Sequence, residues 1–165
     1  MSSEKRVAVY TGSFDPVTLG HMNVVERAST LFDELVVGVG INAGKSPLFT
    51  PEERIELLED VTAHIPNVQI ASFEGLAVTF VRQCNSRVMV RGVRPLTDIA
   101  GEFTMMMANR QLDSEIETVF LMSDEDYSHV SSSLIKQIVP LSSDDKLAKF
   151  VPAAIIPKLR SKMTG

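Results

Sequence analysis

The chain has almost no cysteine and no long apolar run, so it lacks the features of disulfide-linked, cysteine-metal and membrane-spanning proteins. It contains one cysteine, Cys84, and no tryptophan. A single cysteine forms neither an internal disulfide nor a cysteine-cluster metal site, which is typical of a reducing compartment. No apolar run approaches the roughly 20 residues that span a bilayer, and the first residues, MSSEKR, lack a signal-peptide core. We therefore expect a cytoplasmic protein with no membrane partner.

The chain also lacks an excess of basic charge. Its 16 lysines and arginines face 21 aspartates and glutamates, which gives a net charge of −5. This balance argues against a nucleic-acid partner bound over the whole surface, but it is compatible with a local basic cleft. A hydrophobic fraction of 44% and a length of 165 residues suit a single globular domain with a substantial core.

What the sequence does contain is a regular alternation of strand and helix patterns. Short apolar runs predict five strands, at 6–11, 34–41, 67–73, 87–92 and 117–122. Helical patterns follow each strand, at about 20–32, 51–64, 76–84, 95–112 and 131–139, with one or two short helices in 144–163. Thr50, Pro51 and Glu53 predict a capping box at the start of the second helix. This order predicts an α/β fold, a parallel sheet wrapped by helices, in one domain over 1–165 with the helices of about 144–163 packed on it.

The topology also predicts where chemistry belongs. In an open parallel sheet, ligands bind beyond the carboxyl ends of the strands, where the strand order reverses. The segments at this edge are 11–21, 41–50, 72–77, 91–102 and 121–133.

The stretch YTGSFDPVTLGH, residues 10–21, joins the first strand to the first helix. Gly12 permits a sharp turn and the close approach of a ligand to the backbone, and Asp15 can accept a bond from a backbone N–H two residues on. His21 falls in the first turn of the helix, where free N–H groups and the helix dipole favour an anion that would in turn favour the imidazolium. An ordinary N-cap explains Thr18, but not Gly20, which lowers helix propensity. The stretch predicts a phosphate site.

A second stretch, VSSS at 130–133, opens a later helix. Three serines at a helix start can cap backbone amides and bind phosphate oxygens. Such runs are common in loops, so the signal is weak alone. It becomes strong when paired with the Gly-His motif.

Residues 10–21 and 130–133 resemble the two signatures of the nucleotidylyltransferase superfamily, T/H-x-G-H and I-S-S-S. The segments GSFDPVTLGH, FTPEERIELL, VRGVRPLTDIAGE, MANRQL and VFLMSDEDYSHVSSSLIK extend the resemblance over nearly the whole chain, to the phosphopantetheine adenylyltransferase family. The resemblance implies a Rossmann-like five-stranded parallel sheet with helices on both faces, assembled as a homohexamer. It also implies transfer of AMP from ATP to 4′-phosphopantetheine in coenzyme A biosynthesis, with Mg²⁺ bound with ATP and coenzyme A as a possible feedback ligand.

The same resemblance assigns roles to individual residues. Catalysis falls to His21 as transition-state stabiliser, with Lys45 and Arg94, and no residue is expected to bind a metal. ATP is assigned to Ser13, Phe14, His21, Gly92, Val93, Arg94, Glu102, Tyr127, Ser128, His129, Val130, Ser131, Ser132 and Ser133. The acceptor is assigned to Ser13, Lys45, Ala77, Arg91 and Asn109.

Some of these residues have simpler interpretations. Lys45 could be a solvated loop charge, and Arg91 and Arg94 could be salt-bridge partners of Asp98 and Glu102. Two further expectations concern the neighbouring helix. Gly101, where the family has an aromatic residue, would loosen one side of the nucleotide pocket, and the run Met105–Met107 is more typical of a core or subunit contact.

Two other functions stay open at this point. The chain could be a nucleotidylyltransferase for another phosphorylated acceptor, with the nucleotide motifs kept and the acceptor pocket changed. It could also be a nucleotide-sensing module that binds ATP without turnover.

Overall fold

The computed structural model describes residues 4–94 and 98–164. Its strands are β1 (Val7–Gly12), β2 (Glu34–Ile41), β3 (Val68–Glu74), β4 (Val88–Val93) and β5 (Glu117–Met122). Its helices are α1 (Leu19–Leu31), α2 (Pro51–Thr62), α3 (Ala77–Gln83), α4 (Ile99–Leu112), α5 (Ser132–Ile138), α6 (Asp144–Leu147) and α7 (Ile156–Met163). Short 3₁₀ turns occur at Glu125–Tyr127, Val139–Leu141 and Ala153–Ile155.

The predicted elements agree closely with these bounds. Each strand lies within one residue of its predicted range at both ends. The capping box of α2 is confirmed, since Glu53 N–H donates to Thr50 Oγ1 at 3.2 Å and Thr50 N–H donates to Glu53 Oε2 at 2.9 Å. The predicted start of the fourth helix at Pro95 lies outside the described residues, and α4 is described from Ile99.

The five strands form one parallel sheet in the order β3-β2-β1-β4-β5, which confirms the predicted sheet. The strand order reverses between β1 and β4. The crevice expected at such a reversal opens at their carboxyl ends, next to Gly12 and Val93. The sheet therefore positions a ligand site where the first motif leaves β1.

Helices cover both faces of this sheet. On one face, α1, α2, α5 and α7 pack against β1 and β2 through buried residues such as Val25, Leu58 and Ile135. On the other face, α3 packs through Val78, Phe80 and Val81, and α4 reaches Met89 of β4 through Asn109.

The C-terminal segment belongs to the same core. Leu147, Val151, Ile155 and Leu159 are fully buried with Val37 of β2. The segment that the sequence places at 144–163 is thus packed on the sheet face that carries α1 and α2.

One glycine controls how closely α1 approaches the sheet. A Cβ at Gly92, near the end of β4, would lie 2.8 Å from Val24 Cγ2 of α1, too close for any side chain without a shift. The absence of a side chain lets the start of α1 lie directly over the end of β4, where the crevice opens.

Within the two described ranges, no helix combines the length and the apolar character needed to cross a membrane.

Candidate active site

Two adjoining cavities open at the carboxyl edge of the sheet. The smaller has a volume of about 280 Å³ and lies between the start of α1, the end of β4 and the serine segment. The larger has a volume of about 640 Å³ and lies between the β2–α2 loop, the start of α3 and α4. Both cavities are lined by the same five residues, which we call the shared wall: Thr11, Gly12, Ser13, Arg91 and Glu102. Two ligands bound side by side would meet at this wall.

Most of the predicted site residues line these cavities. All five predicted acceptor residues line the larger one, namely Ser13, Lys45, Ala77, Arg91 and Asn109. Nine predicted ATP residues line the smaller one, namely Ser13, His21, Gly92, Arg94, Glu102, Tyr127, Val130, Ser131 and Ser132.

Five predicted ATP residues line neither cavity. Phe14 and Val93 are buried in the protein interior. Ser128 donates to the carbonyl of Glu125 in the 3₁₀ turn, His129 is exposed with its ring against Phe150, and Ser133 is exposed. Their side chains are directed to local structure or to solvent rather than to the crevice.

His21 is held by the first turn of α1. Thr18 is the N-cap, and its Oγ1 accepts the His21 N–H at 3.2 Å, while the Thr18 N–H donates to His21 Nδ1 at 3.0 Å. His21 thus occupies the place that Glu or Gln takes in an ordinary capping box. Because Nδ1 accepts a backbone N–H, the ring proton belongs on Nε2. The hydrogen bonds that make Thr18 the N-cap therefore also hold the His21 ring at the cavity.

Without a bound anion, the protein itself disfavours the imidazolium at this site; the imidazolium expected beside a bound phosphate stays a prediction. Burial, together with the positive charges of Arg91 and Arg94, lowers the pKa of His21 from 6.5 to about 4. Both arginines line the same cavity, so each disfavours a third positive charge there. In the ligand-free protein near pH 7 this leaves the ring neutral, with Nε2–H as a hydrogen-bond donor.

This pKa can be measured directly in the ligand-free protein. We expect the His21 ring protons to show no titration between about pH 5.5 and 8, with a midpoint near 4 as protonation sets in. Proton NMR of the histidine ring region measures it, and the spectrum of His21→Glu identifies the resonance by its absence. A midpoint near 6.5 would contradict the neutral assignment.

Phe14 supports His21 from beneath rather than lining the cavity. It is 1% exposed, and its ring lies edge-on to His21, with centroids 4.9 Å apart, and to Tyr10 at 5.3 Å. Its φ of 49° lies in the left-handed region, which directs the ring inward at the cost of some strain. A Cβ at Gly12 would lie 3.0 Å from the Phe14 ring, so a side chain there would push the ring by a few tenths of an ångström.

Arg91 is both a salt-bridge partner and a cavity residue. Its Nε donates to Glu102 Oε2 at 2.9 Å, its Nη2 to Glu102 Oε1 at 2.7 Å, and its Nη1 to the carbonyl of Thr11. The bidentate pair fixes the guanidinium in the shared wall. Arg91 is therefore a salt-bridge partner of Glu102 and a residue of the cavity wall at the same time.

Arg94 shows the same combination in the smaller cavity. Its Nε and Nη2 donate to the two carboxylate oxygens of Asp98, each at 2.7 Å. Arg94 and Asp98 both line this cavity, so the arginine is held in place and still faces the crevice.

The serine run is divided between structure and cavity. Ser131 is the N-cap of α5 and accepts the Leu134 N–H at 3.1 Å, and Ser132 Oγ donates to the carbonyl of Pro16 at 2.8 Å. Both still line the smaller cavity, whereas Ser133 is exposed. The capping role expected of the serine run is confirmed for Ser131, and its phosphate role stays a prediction for Ser131 and Ser132, which line the cavity.

Lys45 is exposed on its loop and lines the larger cavity, so it is both a solvated charge and a residue of the cavity wall.

Helix α4 also faces this cavity. Met105 and Met106 also line it, and Met105 and Met107 are exposed, so none of the three lies in the core of the described chain. Among the described residues, a Cβ at Gly101 would meet nothing within 4 Å, and Gly101 lines neither cavity, so its effect on the nucleotide pocket stays a prediction.

Asp15 has partners that sequence reasoning missed. It does not bond a donor two residues on; its carboxylate accepts the N–H groups of Leu48 and Phe49, each at 2.8 Å, and Lys136 Nζ at 2.9 Å. Burial alone would raise the pKa of Asp15, but these three donors together lower it below its ordinary value. No local pattern signals partners 33, 34 and 121 positions away.

Arg54 was also missed, although it lies in the α2 capping segment. It is 4% exposed and donates from Nη1 to the carbonyls of Ser13, at 2.8 Å, and Gly40, at 3.2 Å. The position of Arg54 on the inner face of α2 could have revealed it, because a charged residue is rarely buried unless it is paired.

In the described part of the chain, no group of three or more histidine, cysteine, aspartate or glutamate side chains is arranged to hold a metal ion.

Comparison with known proteins agrees with this geometry. The cytidylyltransferase-like family matches residues 9–138. The phosphopantetheine adenylyltransferase of Rhodopirellula baltica is 70% identical over 160 residues, covering 96% of this chain and 89% of that protein. The enzyme of the same name from Caulobacter vibrioides is 46% identical over 161 residues, covering 96% of this chain and 98% of that protein.

Solved structures agree on the fold. Nicotinic acid mononucleotide adenylyltransferase of Plasmodium falciparum, in complex with NaAD, has a TM-score of 0.73 at 14% identity, over 95% of both chains. The lipopolysaccharide core biosynthesis protein of Thermoplasma volcanium has a TM-score of 0.51 at 22% identity, over 73% of this chain and 97% of that one. These likenesses support the Rossmann-like architecture. Because the family match spans most of the sequence and the curated relatives align over nearly all of it, the chain belongs to the cytidylyltransferase-like family and, within it, to the phosphopantetheine adenylyltransferases.

Proposed function

We propose that this chain transfers the adenylyl group of ATP to the phosphate of 4′-phosphopantetheine, giving dephospho-coenzyme A and pyrophosphate in coenzyme A biosynthesis. The observation that carries the proposal is the pair of adjoining cavities that meet at Ser13, Arg91 and Glu102. Such a pair suits a reaction that must bring two phosphorylated molecules into contact.

ATP would place its phosphate groups in the smaller cavity. His21 Nε2–H and the free N–H groups at the start of α1 would hold the α-phosphate. Arg94, Ser131 and Ser132 also line this cavity and would hold the departing pyrophosphate.

The acceptor would occupy the larger cavity. Lys45 and Arg91 supply positive charge for its phosphate, and the shared wall places that phosphate beside the first cavity. The other lining residues are mainly apolar, among them Ala77, Met105 and Met106, and include the amides of Asn42 and Asn109, a wall that suits an extended arm carrying amide groups.

The reaction does not require a general base. A phosphate monoester has its second pKa near ~6, so the acceptor is largely ionised at neutral pH. Its oxygen attacks the α-phosphorus of ATP, a new P–O bond forms, and the bond to the bridging oxygen of pyrophosphate breaks. The protein would act by holding two polyanions in line and by donating hydrogen bonds to the α-phosphoryl oxygens.

We propose that Mg²⁺ enters with ATP, as the MgATP substrate. The two carboxylates at the smaller cavity, Asp98 and Glu102, are each bound by an arginine, which suits anion binding better than metal ligation. When bound with ATP, the metal would neutralise part of the triphosphate charge.

The decisive assay separates this function from its two alternatives. Pyrophosphate release should be measured with ATP, CTP and GTP, each against 4′-phosphopantetheine, nicotinate mononucleotide and glycerol phosphate. We expect turnover with ATP and 4′-phosphopantetheine to exceed every other pair. Faster turnover with another acceptor would favour a different nucleotidylyltransferase, and ATP binding without turnover in any pair would favour a sensor.

We further propose that copies of this chain assemble as a homohexamer. Ile99, Phe103 and Met107 are exposed at i, i+4 and i+8 on one face of α4, away from Met105 and Leu112, which line the larger cavity. An exposed apolar stripe of this kind is typical of an interaction surface. Sedimentation equilibrium should give six times the chain mass of 18.1 kDa, and a monomer mass would contradict it.

Coenzyme A carries the same arm as the acceptor, so as a feedback ligand it would compete for the larger cavity. Inhibition that is competitive with 4′-phosphopantetheine is the expected pattern. The cytoplasmic location stays a prediction from the sequence.

A further inference from the structure

The loop that carries Lys45 is held at both ends by buried charged side chains that line neither cavity. This loop, residues 42–49, connects β2 to α2. We propose that Asp15 and Arg54 are positioning residues that fix the Lys45 loop across the larger cavity and so set the affinity for the acceptor phosphate. The inference rests on the proposed function, which places that phosphate beside Lys45.

Asp15 anchors the C-terminal end of the loop. It is 6% exposed, and its two oxygens accept the adjacent N–H groups of Leu48 and Phe49. Lys136 of α5 supplies the counter-charge from the opposite side at 2.9 Å. A buried carboxylate that accepts two backbone N–H groups and an ammonium is strongly fixed in position. The loop end is therefore tied to the turn that carries Ser13.

Arg54 anchors the end of β2, two residues before the loop begins. Its Nη1 bridges the carbonyls of Ser13 and Gly40, and Gly40 is the residue before the last residue of β2. Its Nε is buried, with no hydrogen-bond partner in the part of the chain that the structure describes. A buried N–H donor without a partner lowers the stability of the fold, so the stability gained from Arg54 must come from its two carbonyl contacts.

Between these anchors the loop has little other support. Residues 42–47 are exposed. The hydrogen bonds found within the loop are local, from Lys45 N–H to the carbonyl of Asn42 at 3.3 Å and from Gly44 N–H to Asn42 Oδ1 at 3.0 Å. The position of Lys45 therefore depends on the two anchored ends. A loop without them would have to be ordered when the acceptor binds, and this ordering would weaken binding.

The first test is a steady-state comparison of Asp15→Asn and Arg54→Met with the unaltered chain. In Asp15→Asn, an N–H₂ group replaces one of the two oxygens that accept the N–H groups of Leu48 and Phe49. In Arg54→Met, the hydrogen bonds to the carbonyls of Ser13 and Gly40 are lost. We expect each variant to raise the KM for 4′-phosphopantetheine by about tenfold, the scale of one charged hydrogen bond, with the KM for ATP within about twofold.

Two control variants separate positioning from general stability. Glu56→Gln, also on α2, loses only its ion pair with Lys158 and should leave all kinetic constants within about twofold. Lys136→Met removes the third donor to Asp15 but leaves Leu48 and Phe49 in place, so it should change the acceptor KM less than Asp15→Asn.

Hydrogen exchange gives a readout that does not depend on the activity. Amide exchange over residues 42–49 of the free protein should accelerate in Asp15→Asn and Arg54→Met, while exchange in β1 stays unchanged. Arg54→Lys keeps the charge but loses the fork that spans two carbonyls, so it should show the same acceptor effect in a milder form.

The outcomes distinguish this inference from the proposed function. An unaltered chain that does not use 4′-phosphopantetheine would overturn the proposed function. An active chain whose variants leave the acceptor KM unchanged, or raise both KM values equally, would overturn the positioning role. Loss of the cooperative thermal transition in all three variants at Asp15 and Arg54 would also overturn it, since their role would then be general stability.

Discussion

Replacing His21 by alanine should lower kcat by about 10² to 10³, with little change in the KM for ATP. The neutral ring offers one preorganised donor, Nε2–H, at the cavity where charge would develop on the α-phosphoryl oxygens. Removing such a donor affects the transition state more than the bound substrate. Pyrophosphate release under saturating ATP and acceptor measures the effect, and turnover close to that of the unaltered chain would overturn the role of His21.

The control for this experiment must keep the helix start intact, because alanine also removes the contact with the Thr18 N–H. Glutamate at the third helical position forms an ordinary capping box with a threonine N-cap, as Glu53 does in α2. His21→Glu should therefore melt within a few degrees of the unaltered chain while its kcat stays at least as low as that of His21→Ala. Recovery of the rate with glutamate would show that the ring acts only as a helix cap.

Replacing Arg91 by methionine should weaken the binding of 4′-phosphopantetheine by about tenfold to a hundredfold. Arg91 is the charged donor of the shared wall, and its loss also leaves the Glu102 carboxylate without its partner beside an anionic ligand. Isothermal titration calorimetry with the acceptor alone measures the dissociation constant. An unchanged value would place the phosphate contact elsewhere in the larger cavity.

Two further variants separate the charge of Arg91 from its geometry. Arg91→Lys keeps the charge but cannot hold Glu102 with two bonds while reaching the Thr11 carbonyl, so we expect an intermediate loss. The double variant Arg91→Met with Glu102→Gln removes the unpaired carboxylate. It should recover thermal stability, but not the full affinity for the acceptor.

Much of the fold could be predicted because it follows from local patterns. Strand β2 is an apolar run buried on both faces, and the start of α2 carries a complete capping box within four residues. The position of the site followed from topology, since every segment expected at the carboxyl edge of the sheet contributes at least one lining residue to one of the two cavities.

The charge state and the partners in the site could not be predicted in this way, because they depend on residues distant in sequence. The pKa of His21 is set by burial and by Arg91 and Arg94, which lie seventy and more positions away. Asp15 meets the N–H groups of Leu48 and Phe49, and Arg54 the Ser13 carbonyl, only when β1 and β2 pair. Phe14 belongs to the first motif by sequence, yet its side chain is directed inward by a backbone conformation that the motif does not specify.

The five residues common to both cavities also bear on how this protein can be redesigned. A substitution at Ser13, Arg91 or Glu102 alters both cavities in one step. Under the proposed assignment of ligands, engineering a new acceptor preference without disturbing nucleotide use therefore has to begin at residues that line the larger cavity alone, such as Ala77, Met106 or Asn109.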